Sequence, residues 1–308
     1  MVTRRRPGPA RVPVFLLLCL ITALWGTGPA SAEDGGRLDG RPASVERGAY
    51  LARAAGCVSC HSAPGGDALS GGRRFVSDFG TFVAPNITPD PQAGIGGWTE
   101  AQFVNAVRRG IRPDGAYYYP AFPYASFTGM SDEDVRAIKV WLDTLDPVSD
   151  VAPAHEVSGP AAWRPLIGLW RILFFRPGRF EPNPRADAVW NRGAYLTRAV
   201  THCGECHTPR NALGGRMRGL ELAGTSRSAT GERVPNITPA RQTGVGGWSV
   251  GEMAELMKSG MKPDFDNVQG SMADAIRHGL RHMTDADRTA IAYYVLTSEP
   301  IEHRVGRR

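Results

Sequence analysis

The pentapeptide Cys57-Val58-Ser59-Cys60-His61 returns as Cys203-Gly204-Glu205-Cys206-His207, and this pair decides the fold. Two thiols at this spacing add across the two vinyl groups of one haem, and the adjacent histidine then lies beneath the iron. Cys57, Cys60, Cys203 and Cys206 therefore mark two c-type haem attachments, with His61 and His207 as the proximal iron ligands. A zinc site needs further Cys or His at zinc spacing, and a thioredoxin-like pair needs a βαβ setting. Neither accompanies either copy.

Four of the five cysteines lie in the pentapeptides, and the fifth, Cys19, sits in a segment expected to be removed. That segment runs from Arg4, Arg5, Arg6 and Arg11 through an apolar stretch, Val14 to Trp25, to Ala30-Ser31-Ala32, the pattern of a signal peptide over residues 1–32. The apolar stretch is shorter than the ~20 residues a spanning helix needs. Export fits covalent haem, which is attached in an oxidising compartment, so a periplasmic location is expected. Removing the four arginines from the formal +6 leaves +2, and the remaining charges of both signs are interspersed. No basic stripe suggests nucleic acid.

The chain is an internal repeat. Arg47-Gly48-Ala49-Tyr50-Leu51 recurs as Arg192-Gly193-Ala194-Tyr195-Leu196, Asn86-Ile87-Thr88-Pro89 as Asn236-Ile237-Thr238-Pro239, and Gly94-Ile95-Gly96-Gly97-Trp98 as Gly244-Val245-Gly246-Gly247-Trp248. Units of this size build their own core. The expected domains are 41–146 and 187–299, joined by a linker over 147–186. Haem supplies part of each core, which explains how 8% aromatic content suffices. Apolar spacing predicts helices over 44–56 and 187–201. Thr99 with Gln102, stopped by Gly110, predicts another, and Ser249, Glu252 and Gly260 repeat it. Caps at Ser131 and Thr284 start the last helix of each domain, running to about Leu145 and Thr297. No strand pattern stands out. The expected fold is all-α: two tandem class I cytochrome c domains with covalently bound haem.

These repeated motifs resemble the dihaem branch of cytochromes related to the cytochrome c subunit of membrane-associated alcohol and gluconate dehydrogenases, over nearly all of residues 44–298. Those subunits typically carry three such domains and a C-terminal membrane helix, whereas two domains are legible here. In the related subunits the first domain reads Tyr-Pro-Ala-Met-Pro-Tyr, and its methionine is the implied sixth iron ligand. Here the stretch is Tyr119-Pro120-Ala121-Phe122-Pro123-Tyr124. A phenyl ring cannot bind iron. From Trp98 and Trp248 the repeats run at a constant offset of 150, which sets Met272 opposite Phe122 and makes Met272 the candidate ligand of haem 2. For haem 1 three readings stand open. Met130 ligates, or Met130 is a hydrophobic staple ahead of Ser131 as Met283 is ahead of Thr284, or the iron keeps only His61 beside Tyr117, Tyr118 and Tyr119.

Pro64 and Pro209 are candidates to hold the proximal imidazoles through a carbonyl. Arg73, Arg74, Arg210, Trp98 and Trp248 are weaker candidates for haem propionates. His202 is expected on a haem rim; His278 and His282 have a metal-like i, i+4 spacing without an acid partner and are expected at the surface or on haem propionates; His155 and His303 have no ligand context. The linker segment Trp163 to Arg176 is too short to span a bilayer. Packing between the domains is its first reading, and peripheral contact with the inner membrane its second.

The expected function is a periplasmic dihaem relay that carries single electrons. The resemblance implies redox partner proteins: a dehydrogenase donor and a quinone or oxidase-linked acceptor. An electron-transfer protein or dehydrogenase subunit is favoured over an enzyme acting alone. The alternative is a haem enzyme, peroxidase-like or oxidising sulfur compounds, that uses an under-ligated haem 1.

Overall fold

Each pentapeptide follows a capped helix in the computed structural model, which describes residues 44–228 and 231–306; the signal segment 1–32 lies outside them. Ser44 Oγ accepts the Arg47 N–H at 3.1 Å and caps α1 (Val45–Ala54). The first pentapeptide forms α2 (Cys57–His61). The reciprocal box of Thr99 and Gln102 opens α3 (Glu100–Arg109), and Gly110 closes it at φ 61°. After a single turn, α4 (Tyr124–Phe127), Ser131 caps α5 (Asp132–Leu142). The linker supplies α6 (Pro165–Phe174). The second half repeats the series as α7 (Ala188–Tyr195), α8 (Gly204–His207), α9 (Val250–Ser259), α10 (Gly270–His278) and α11 (Asp285–Leu296). The anticipated caps are all made: a box of Ser249 with Glu252, a glycine stop at Gly260 and an N-cap at Thr284.

Two features depart from the all-α expectation. The stretch expected as one helix over 187–201 changes pitch after Tyr195, and Leu196–Val200 is a π-turn whose end is tied by the Thr201 N–H to Leu196 O at 2.7 Å. The first repeat also contains a three-stranded antiparallel sheet. Strands β1 (Arg74–Ser77) and β2 (Gly80–Val83) form a hairpin with Phe75 opposite Phe82, and β3 (Glu156–Val157) joins from the linker. These runs are too short to show an alternating pattern. They become strands because Phe82, Tyr119 and Ile167 of α6 bury one another, and because His155 Nδ1 accepts the Val83 N–H at 3.1 Å.

The repeated Arg-Gly-Ala-Tyr-Leu motif explains how the helices meet. A Cβ at Gly48 would lie 1.9 Å from Ala137 O, and one at Gly193 would lie 1.9 Å from Ala290 O, so α1 presses on α5 and α7 on α11 at backbone distance. Arg47 donates through Nε to Asp134 at 2.7 Å and also through Nη2, while Arg192 holds Asp287 at 2.8 and 2.6 Å. The tyrosine of each motif crosses to the other repeat. Tyr195 OH donates to Asp134, and Tyr50 OH to Asp287. Each aspartate thus joins its own repeat's arginine to the other repeat's tyrosine. Burial raises the Asp134 carboxyl above its ordinary value, against the opposing pull of Tyr195 and Arg47, and burial beside Asp287 pushes Tyr50 up to about 12. A continuous apolar core, with Leu51, Met130 and Leu196 fully buried, runs through both repeats.

Candidate haem-attachment site

The pentapeptides lie on short helices that turn both cysteines and the histidine of each copy to one side. Burial pushes the Cys57 thiol up to about 12 and Cys206 up to about 11, and it raises Cys60 and Cys203 as well. Yet three of these residues are only half-buried and Cys206 is exposed. Each thiol is desolvated while its residue stays at least partly accessible. Desolvation thus favours the neutral thiol at all four positions.

The imidazoles are aimed by the backbone. His61 Nδ1–H donates to Pro85 O at 2.8 Å, and His207 Nδ1–H to Pro235 O at 2.9 Å. The tautomer is thereby fixed and the Nε2 lone pair is free for iron. Desolvation lowers both histidines below the usual value, opposed by these carbonyls, and keeps the rings neutral. The residues fit a c-type haem in each repeat. Pro64 and Pro209 do not make the contact expected of them, because each lies too close in sequence to its histidine for the carbonyl to come round; the loop beyond supplies Pro85 and Pro235. Both precede the Asn-Ile-Thr-Pro motif, so the signal was present as a repeat without an evident role.

That motif builds the proximal carbonyl's support. Asn86 Oδ1 accepts Thr88 N–H at 2.8 Å and Thr88 Oγ1–H at 2.7 Å, while Nδ2 donates to Val148 O at 2.7 Å and Asp150 O at 3.0 Å. Asn236 makes the same inner bonds and donates to Ile301 O at 2.8 Å. Asn86→Ala leaves several buried partners unsatisfied and is expected to cost about 2–3 kcal/mol. Thermal melting of the haem-loaded protein should show it, and an unchanged melting temperature would remove Asn86 from this role.

Other assignments change. Arg73, Arg74 and Arg210, candidates for propionates, are engaged with Asp274 at 2.9 Å, Glu156 at 2.5 Å and Glu205. These carboxylates are nearer than any reading of sequence indicated. His202, expected on a haem rim, instead reaches the first repeat: its Nε2 lies 3.2 Å from Ala55 O and its ring packs edge-on against Phe127 at 5.2 Å. His202 holds φ 43°, at the position where the first repeat has Gly56 with φ 75°. Glu205, inside the second pentapeptide, accepts Ser126 Oγ–H of α4 at 2.5 Å. Burial alone would raise Glu205, but Arg216 and Arg210 hold it below the usual carboxylate range. Only the fold brings Glu205 and Ser126 together, from 79 residues apart. Glu205 thereby ties the second attachment helix, α8, to α4 of the first repeat.

Phe122 packs edge-on against Tyr118 and Phe127, with ring centroids 5.4 and 5.8 Å away. Met272 stands half-buried on α10 against the shared core. Met130 is fully buried beside the cap of α5, and Met283 is 4% exposed at the matching place beside α11.

Known proteins resemble this chain over most of its length. Residues 45–146 match the cytochrome c family model. A diheme cytochrome c-type protein of Cereibacter sphaeroides is 41% identical over 94% of this chain and 97% of its own length. The fructose dehydrogenase cytochrome subunit of Gluconobacter japonicus is 40% identical over 91% of this chain, which spans 56% of that subunit. The gluconate 2-dehydrogenase cytochrome c subunit of Pantoea cypripedii is 36% identical over 82% of this chain, which spans 59% of it.

Proposed function

Because the chain belongs to the dihaem c-type cytochromes related to the cytochrome subunits of alcohol and gluconate dehydrogenases, we propose that it is a periplasmic relay passing single electrons from a dehydrogenase toward a quinone or oxidase-linked acceptor. The observation that carries this reading is the reciprocal contact of the two repeats, in which Tyr195 of the second meets Asp134 of the first and Tyr50 of the first meets Asp287 of the second. Haem iron, when bound, supplies the one-electron couple. The chain's own residues do the rest. Pro85 and Pro235 orient His61 and His207, and the pairs of Tyr195 with Asp134 and Tyr50 with Asp287 fix the repeats so that no domain movement is needed between electron entry and exit. Glu205 and Ser126 tie α8 of the second repeat to α4 of the first at a half-buried point.

A second reading concerns the sixth ligands. Met272 would hold the iron of haem 2, while haem 1, with Phe122 in the corresponding slot and Met130 in the core, would lack a methionine ligand and be open to small ligands. Phe122's aromatic contacts and the matched burial of Met130 and Met283 favour this.

The relay is tested by anaerobic reductive titration of the purified chain. Two haems per chain, each taking one electron, with Cys203→Ser/Cys206→Ser leaving one, is the expected result. A single haem in the unaltered protein would end this reading.

A further inference from the structure

The linker helix α6 is apolar on nearly every side, yet it lies at the surface. A helix of that kind needs apolar surroundings all round. Its inner face has them. Ile167 is 5% exposed against Phe82 and Tyr119 of the first repeat, Phe174 packs on Gly215 of the second, and Trp170 Nε1–H donates to Leu213 O at 2.9 Å. So α6 does bridge the two repeats, and this accounts for half of it.

The outer face has no covering among the described residues. Leu169, Ile172 and Leu173 recur at helical spacing and are 51%, 73% and 48% exposed, with Trp163 just ahead of the helix at 64%. The surrounding charge is of one sign. Between Glu156 and Glu181 the sequence has four arginines and no acidic residue. Arg179 is paired with Asp132 at 2.6 Å. Arg164 donates to Tyr117 O and stacks on Tyr119, Arg171 donates to Arg109 O and stacks on Tyr117, and Arg176 donates to Ile172 O and Phe175 O. Among the described residues none of these three meets a carboxylate. Arg176 lies just past the helix end, after the extended Phe175, and turns back onto Ile172 O at the foot of the exposed aliphatic face.

We propose that the outer face of α6 is a membrane-docking surface that seats the protein on an anionic lipid bilayer. Aliphatic side chains with a flanking tryptophan enter the acyl boundary, and unpaired arginines meet lipid phosphates. Ten residues cannot cross a bilayer, and among the described residues no helix is long and apolar enough to do so. The helix therefore lies flat. Because α6 also bridges the repeats, docking would present both haem sites at a fixed height above the membrane.

The test is co-sedimentation of the haem-loaded full chain with vesicles of phosphatidylcholine alone or mixed with phosphatidylglycerol, at low and high salt. The expected result is binding to the anionic vesicles, weakened by salt. Leu169→Gln/Ile172→Gln/Leu173→Gln should weaken it about tenfold or more, and Arg176→Gln less, both with an unchanged haem spectrum. Since these side chains are exposed, the variants should fold. The proposal is overturned if the unaltered protein stays in the supernatant with anionic vesicles, if the triple variant sediments equally well, or if the face proves to be covered by a dehydrogenase subunit while vesicle binding is absent.

Discussion

Carbon monoxide should bind one haem of the unaltered ferrous protein, both haems of Met272→Ala and neither haem of Phe122→Met. A thioether opposite the proximal histidine stabilises ferrous iron and closes it to exogenous ligands, so its loss at haem 2 should lower that potential and produce a high-spin ferric signal. Installing methionine at residue 122 should do the reverse at haem 1. The slot is the register partner of Met272, and it is ringed by Tyr118 and Phe127, which leave an unbranched thioether room to turn. Carbon monoxide titration with optical and low-temperature EPR spectra reads all three proteins. Failure of the unaltered protein to bind carbon monoxide would overturn the assignment, and Met130→Ala, by then opening haem 1, would identify Met130 as the ligand.

The second large effect is on the scaffold. Gly48→Ala places a methyl carbon 1.9 Å from Ala137 O and 2.7 Å from Trp141 Cβ, both on the rigid helix α5. Neither neighbour can yield by rotation, so the helices must separate, pulling Arg47 from Asp134 and Asp134 from Tyr195. The expected cost is about 3 kcal/mol, or a melting temperature lower by roughly 10 °C. Gly193→Ala should match it through Ala290 O. Gly178→Ala, with no neighbour within 4 Å and an ordinary φ, serves as the control and should shift stability by less than about 0.5 kcal/mol. Melting of Gly48→Ala with the control would mean that α1 and α5 do not approach as described.

Much of the candidate site was legible in the chain itself. Attachment cysteines and proximal histidines are neighbours in sequence, so their chemistry is local. Helix starts at Thr99, Ser131, Ser249 and Thr284 were legible too, because a cap is a bond between residues three apart. The register that sets Met272 against Phe122 needed only the repeat.

The tertiary structure decided what depends on residues far apart. Pro85 and Pro235 serve the proximal histidines because a loop folds back over 24 and 28 residues, a distance no spacing rule encodes. The sheet exists because the linker lends a strand and α6 lends Ile167. Arginines near the haem motifs found carboxylates in preference to solvent. The tyrosines of the repeated motif, identical in sequence to any core residue, proved to cross between repeats, since a buried phenol must find an acceptor and the nearest is the other repeat's aspartate. The sequence thus marked the two candidate haem-attachment motifs and determined their local helices. Long-range burial of polar groups decided how the halves lock together.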